Sequence, residues 1–260
     1  MTIKGIETPC QLNPKPKEME NREEVKVLGT WSSLFVLRVR IALNVKQVKY
    51  EFLEEVAGLH SKSELLLKSN PVYKKVPVLI HGSNAVCESL VILRYIDEAF
   101  VDGDRLSLLP SDPYDRALAC FWACYIDDKW FSFLIGVIRE QNKEAKEESM
   151  KQVQTGLQLL EEVYCKCTNG KPFFNGESIG YLDIVLGSYM LLLKVAEKIK
   201  NVKFLDGNKT PKLVTWNQCF CLNDDVKNVM PQFDEFFEYV KMRVGGGGGG
   251  ENKKLVWKME

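Results

Sequence analysis

The chain has 260 residues, enough for one large domain or two smaller ones. It is 45% hydrophobic and 27% charged, an ordinary globular composition, and Lys plus Arg (35) equal Asp plus Glu (35). The zero net charge argues against a nucleic-acid partner, and no apolar run reaches the roughly 18 residues of a membrane span.

The N-terminal stretch MTIKGIETPCQLNPKPKEMENREE lacks the apolar core of a signal peptide, so the expected location is the cytosol. Residues 1–24 are polar, carry Pro14 and Pro16 among charges, and read as a flexible tail. EVKVLGT (24–30) alternates and is β-branched, which predicts a strand. SLFVLRVRIALNVK (33–46) mixes Phe35, Leu37, Val39, Ala42 and Leu43 with basic residues at helical spacing. KYEFLEE (49–55) is a second strand, and the intervening helix implies a right-handed parallel crossover. SKSELLLKSNP (61–71) is a short helix that stops before Pro71. VPVLI (76–80), the turn HGSN and AVC (85–87) form a hairpin, followed by a helix over ESLVILRYIDEAF (88–100).

The resulting order, β-α-β-α-β-β-α over 25–101, is a small α/β domain. Residues 102–111, rich in Asp, Ser and Pro, read as a linker. Everything after it over 112–243 reads as an all-α domain, with helices near 112–141, 143–168, 180–200, 209–222 and 230–243. Six glycines at 245–250 end the last helix, and 244–260 is expected to be a tethered, Gly-rich flexible tail.

Eight cysteines and two histidines, His60 and His81, offer no metal-binding spacing, so no metal site is expected and the cysteines read as reduced thiols. Three places can carry chemistry. Pro77 opens a strand that should be central, where it cannot donate to the ladder. A cis Val76–Pro77 bond would free the adjacent backbone for a peptide-like ligand; an ordinary trans strand start is the open alternative. Glu88 and Ser89 fall where a strand ends and a helix begins. Free N–H groups there suit an anion, and Glu88 suits an ammonium, together the two ends of an α-amino acid. Simple capping, with Ser89 as N-cap, is the alternative. Finally, a hydroxyl at the start of the 33–46 helix can donate to a thiolate and lower its pKa. Neither histidine is placed to make a serine nucleophile.

TWSSLFVLRVRIAL, KSELLLKSNPVYKKVPVLIH and CESLVILRYIDEAF resemble the N-terminal domain of plant tau-class glutathione transferases, and LLPSDPYDRALACFWACYIDDK and NGESIGYLDIVLG resemble the helical half of the same class. The likeness runs from about residue 25 to 243. It implies a thioredoxin-like domain, a helical domain and a homodimer. It also implies conjugation of glutathione, as co-substrate and with no other cofactor, to apolar electrophiles in detoxification or stress response, with glutathione peroxidase activity as a further outcome. By position, Ser33 would be the catalytic serine. Lys62 and Lys75 would bind the glycine carboxylate of glutathione, the Val76 backbone its cysteinyl unit, and Glu88 and Ser89 its γ-glutamyl group. Phe35, Phe131 and Ile138 would line the acceptor pocket.

The sequence departs from the family pattern around the serine. Ser32 and Leu34 stand where proline is common, which loosens the turn and brings Ser32 forward as a competitor. Tyr73 stands where histidine is frequent, and Gly180 where Ser or Thr caps a helix. Two other readings are a non-catalytic, ligandin-like binder of apolar anions and, more weakly, thiol–disulfide exchange through Cys87.

Overall fold

A computed structural model describes residues 24–55, 62–101 and 107–245. The expectations for residues 1–23, for 102–106 of the linker and for 246–260 lie outside the described residues.

Four strands, β1 (Val25–Gly29), β2 (Glu51–Glu54), β3 (Val78–His81) and β4 (Asn84–Cys87), form one sheet in the order β2-β1-β3-β4. β1 pairs parallel with β2 and antiparallel with β3, and β3 pairs antiparallel with β4. Three helices complete this half: α1 (Leu34–Val45), α2 (Glu64–Ser69) and α3 (Ser89–Ala99). The predicted order and the parallel crossover are therefore as found, with boundaries shifted by one to three residues. α2 begins at Glu64 because the Ser63 hydroxyl accepts from Leu66 N–H as its cap.

The topology decides where chemistry can occur. β1 and β4 run the same way, so α1 and α3 both start at one edge of the sheet. β3 runs the other way, and its first residue, Val78, pairs with Leu28 near the end of β1 and with Cys87 at the end of β4. The turn at Ser33, the Val76–Pro77 segment and Glu88 thus converge on that edge, the position where α/β folds place ligands.

The helical half comprises α4 (Pro113–Tyr125), a π turn (Ile126–Trp130), α5 (Phe131–Arg139), α6 (Lys143–Thr168), α7 (Tyr181–Ser188), α8 (Met190–Lys200), α9 (Pro211–Leu222), α10 (Asp224–Lys227) and α11 (Phe233–Gly245). α4 starts where Pro113 takes the first helical position and the Asp112 carboxylate accepts from Tyr114 and Asp115 N–H at 2.9 and 3.0 Å. The single helix expected over 112–141 is one run widened by the π turn. The one expected over 180–200 is broken at Tyr189, directly after the pair Gly187–Ser188. Such pairs are a known site of helix kinks, so that signal was in the sequence. α10 was not anticipated, because four residues carry too little periodicity to register.

The two halves are joined by buried polar contacts. Asp97 on α3 accepts from the N–H of Leu108 and Leu109 at 2.7 and 3.1 Å, from Ser107 Oγ at 2.9 Å and from the buried Lys46 ammonium at 3.1 Å. The described end of the predicted linker is therefore pinned to the first domain. Gly180 opens α7 with its N–H donating to Asp183 Oδ2 at 2.9 Å. A Cβ at residue 180 would lie 2.9 Å from the Leu108 carbonyl oxygen and 2.3 Å from Asn175 Cβ. Packing, and not only a relaxed cap preference, accounts for glycine at this position.

The helical core is centred on Trp130, whose Nε1 donates to the Val153 carbonyl at 3.1 Å. Its indole lies so close to α6 that a Cβ at Gly156 would sit 2.3 Å from Trp130 Cδ1. Gly156→Val is expected to destabilise the protein by about 1–3 kcal/mol, since a buried ring cannot yield freely. Urea unfolding with an unchanged m-value checks this.

Candidate functional site

A cleft of about 120 Å3 lies at the shared sheet edge, between the first domain and the α4–α5 run. It is lined by Phe35, Lys75, Val76, Pro77, Glu88 and Ser89, and by Leu90, Cys124, Asp127 and Asp128. Six of these were singled out from the sequence. Leu90, Cys124 and the two aspartates were missed, because nothing in the local pattern of α3, α4 or the π turn distinguishes a residue facing across a domain boundary from one facing solvent.

The Val76–Pro77 peptide bond is cis, so the trans alternative is not the one found. Lys75 lines the cleft directly before it. Lys62 is exposed and is not part of the lining; its Nζ donates to the Lys74 carbonyl at 2.6 Å, which seats a second ammonium beside Lys75.

At the start of α3 the capping alternative is corrected. Glu88, not Ser89, is the N-cap residue, and no side chain caps the helix. The first N–H groups of α3 are left for a ligand, consistent with an anion site. Glu88 has φ 70°, ψ 117°, a left-handed conformation that costs a non-glycine residue about 1–3 kcal/mol and is concentrated at functional sites. Ser89 is buried, and its Oγ accepts from Arg38 Nη1 at 3.3 Å.

Arg38 was read from the sequence only as added charge on α1. It is fully buried and is the hub beneath the cleft. Nη1 and Nη2 donate to Asp127 at 2.8 and 2.6 Å, and Nε donates to Ser188 Oγ at 2.9 Å. The guanidinium also lies over the Tyr189 ring at 4.7 Å and the Phe35 ring at 5.0 Å. The Tyr189 hydroxyl donates to Asp127 Oδ1 at 3.0 Å. Burial alone would lower the Arg38 pKa, but the Asp127 carboxylate outweighs it and holds the pKa above the ordinary value. Burial pushes the Tyr189 phenol well up, so it remains a donor. The π turn supplies Asp127 and the break between α7 and α8 supplies Ser188 and Tyr189, and through Arg38 they support Phe35 and Ser89 from below.

Ser33 is the N-cap of α1: its Oγ accepts from Val36 N–H at 3.3 Å. A hydroxyl used as an acceptor in this way keeps its proton for donation. Ser33 lies two residues before Phe35, which lines the cleft, but is not itself among the lining residues. The turn expected to be loose is closed by Ser33 N–H donating to the Thr30 carbonyl at 3.2 Å and is braced by Trp31 N–H donating to Glu54 at 3.0 Å. Ser32 is only 6% exposed, whereas Ser33 is half-buried.

Phe131 and Ile138 are 3% and 5% exposed and do not line the cleft. Phe131 stacks on Tyr189 at 4.7 Å and meets Phe35 edge-on at 5.9 Å. It backs Phe35 from behind and does not itself line the cleft. The sequence could not separate these roles, since an aromatic at helical spacing fits either.

Burial and Glu88 push the Cys87 thiol up. Burial and the nearby aspartates do the same to Cys124. A raised thiol pKa weighs against thiol–disulfide exchange through Cys87.

A thioredoxin-like sheet edge facing a helical domain, with Lys75, a cis-proline segment and a Glu–Ser helix start around one cleft, defines a two-domain protein of the glutathione transferase type. The family model for the glutathione S-transferase N-terminal domain matches residues 23–98. Glutathione S-transferase U18 of Arabidopsis thaliana is 51% identical over 219 residues, 84% of this chain and 95% of that protein. Glutathione S-transferase U15 of the same plant is 50% identical, over 86% of this chain and 95% of that protein. The crystal structure of a tau-class glutathione S-transferase from mango, Mangifera indica, superposes with a TM-score of 0.80 at 51% identity, covering 85% of this chain and 99% of that one. A rice enzyme solved in complex with glutathione gives 0.78 at 30% identity, over 88% of this chain and all of that one (100%). The chain belongs to the tau-class glutathione S-transferases.

Proposed function

We propose that the protein conjugates glutathione to apolar electrophiles, with Ser33 as the thiolate-stabilising residue. In this reading glutathione lies along the sheet edge. Lys62 and Lys75 face its glycine carboxylate, the Val76 backbone pairs with its cysteinyl unit, and Glu88, Ser89 and the open start of α3 take its γ-glutamyl end. The Ser33 hydroxyl donates to the sulfur. The thiolate attacks the electrophilic carbon, a C–S bond forms, and the leaving group departs with the bonding electrons; with a chloronitrobenzene this is chloride. The acceptor rests on Phe35, which Phe131 supports from behind. The observation that carries the proposal is the convergence of Lys75, Val76, Pro77, Glu88 and Ser89 on one cleft.

Retention on immobilised glutathione, followed by turnover of a panel of electrophiles, tests it. Elution by free glutathione and turnover of chloronitrobenzene are expected. Retention without turnover of any electrophile would instead favour a carrier of apolar anions.

We also place the protein in the cytosol as a homodimer. The cysteines of the described residues are free thiols, as a reducing compartment maintains. No helix among the described residues is long and apolar enough to cross a membrane. Val72 and Tyr73 before β3, Val91 on α3 and Phe121 on α4 are exposed in the single chain, Val72 at 79% and Phe121 at 59%. Apolar residues of this number on one subunit suit burial against a second copy. Light scattering should report twice the chain mass, and Val72→Glu with Phe121→Glu should shift it to the monomer.

A further inference from the structure

Two thiols stand beside the cleft without a part in conjugation. Cys120 and Cys124 are one turn apart on α4, an uninterrupted helix from Pro113 to Tyr125, so both are on the same face. Cys124 is exposed and lines the cleft, and Cys120 is half-buried. They share a neighbour in Tyr181, whose phenol is pushed up first by burial and then by Cys120, with Cys124 adding to it. The Tyr181 hydroxyl donates to the carbonyl of Leu90, another lining residue, at 3.4 Å. Both thiols therefore meet at Tyr181, on the α4 side of the cleft. Because Cys124 opens onto the cleft, the pair stays reachable in a dimer that leaves the cleft open.

The spacing selects the chemistry. Residues four apart on a helix have Cβ atoms about 5–6 Å apart. A disulfide needs about 3.5–4.5 Å, so a direct S–S bond would require α4 to distort. An atom inserted between the sulfurs removes the mismatch. It must be thiophilic and satisfied by two sulfurs, since no group of three or more metal-ligating side chains is found among the described residues. It must also react with protonated thiols, because burial, then Asp128, Asp127 and Cys120, keep the Cys124 proton on. A trivalent arsenical with one organic substituent meets all three conditions.

We propose that Cys120 and Cys124 form a dithiol clamp for monosubstituted trivalent arsenicals, and that the bound arsenical closes the cleft to glutathione. The step is a condensation. Two As–OH bonds break, two As–S bonds form, and the two thiol protons leave with the hydroxyls as two waters; nothing is oxidised or reduced. The closure rests on the reading of the cleft as the glutathione site, whereas the clamp does not. Cys165 and Cys167 on α6, and Cys219 and Cys221 on α9, are two residues apart and diverge. Cys219 and Cys165 both add, after burial and Asp183, to the raised pKa of Tyr164. That pair does not line the cleft, so Cys165→Ser is the control.

Full-length protein is treated with phenylarsine oxide, washed with 2-mercaptoethanol and read by intact mass. One phenylarsine adduct per chain should survive the monothiol wash and leave with dimercaptopropanol. Cys120→Ser and Cys124→Ser should each lack it, and Cys165→Ser should carry it. The affinity of the loaded parent for S-hexylglutathione should fall by about tenfold or more and return with dimercaptopropanol. Cys120→Ser, treated the same way, should bind S-hexylglutathione as before. An adduct retained in a folded Cys120→Ser or Cys124→Ser variant, or stripped from the parent by 2-mercaptoethanol, overturns the clamp. Unchanged S-hexylglutathione affinity in the loaded parent overturns the closure. An adduct on a parent that binds no glutathione would count against the reading of the cleft and still support the clamp.

Discussion

Asp127→Ala should lower the unfolding free energy by about 3–5 kcal/mol, the usual cost of leaving one member of a buried ion pair without its partner. The Arg38 guanidinium would lose both of its bonds to the carboxylate, at 2.8 and 2.6 Å, and remain fully buried. Tyr189 would lose its acceptor at the same time. The loss should be partly restored in the double variant Arg38→Met, Asp127→Leu, because replacing both charges with apolar groups removes the desolvation penalty. Glutathione affinity separates the two consequences. The double variant recovers stability but not binding, since Ser89 has lost its contact with Arg38 Nη1 and the base under Phe35 has changed. Chemical denaturation and glutathione titration on the same samples read both. If the single and double variants are equally unstable, the charge pair is not what holds the domains together.

Ser33→Ala is expected to reduce kcat/KM by about tenfold or more, or about 1.4 kcal/mol of lost transition-state stabilisation. Ser32→Ala should change it by less than about twofold, as a buried side chain away from the cleft. Ser33 also caps α1, so its replacement by alanine should cost about 1 kcal/mol of stability. The pH profile separates that from the catalytic loss. Without the donor the thiol of bound glutathione returns toward the ordinary value near 8.5, so the variant should regain activity as pH rises while the parent stays level. A purely structural defect would lower activity at every pH alike. Equal losses from Ser32→Ala and Ser33→Ala would refute the assignment of Ser33.

Much of this arrangement was legible beforehand because it rests on local rules. Alternation in EVKVLGT, the stop before Pro71 and the glycine turn between β3 and β4 each fix an element without reference to distant residues. The Ser33, Val76–Pro77 and Glu88–Ser89 positions were visible because each lies at a junction of strand and helix. What escaped was decided by tertiary context. Arg38 looks like any basic residue on an amphipathic helix, yet it is buried because Asp127, Ser188 and Tyr189 meet it from elements 89 to 151 positions away. Phe131 and Ile138 have the composition of a pocket wall and the burial of a core. Ser32 and Ser33 are chemically identical, and only the geometry of the turn separates them.

The central claim is that the Ser33 hydroxyl keeps the sulfur of bound glutathione ionised. Ultraviolet difference absorbance of the thiolate, titrated against pH in the parent protein and in Ser33→Ala, measures it directly. The account predicts that glutathione bound to the parent is mostly thiolate at neutral pH and that in the variant the transition moves upward by about one unit or more. Identical titrations for the two proteins, both at the value of free glutathione, would contradict it.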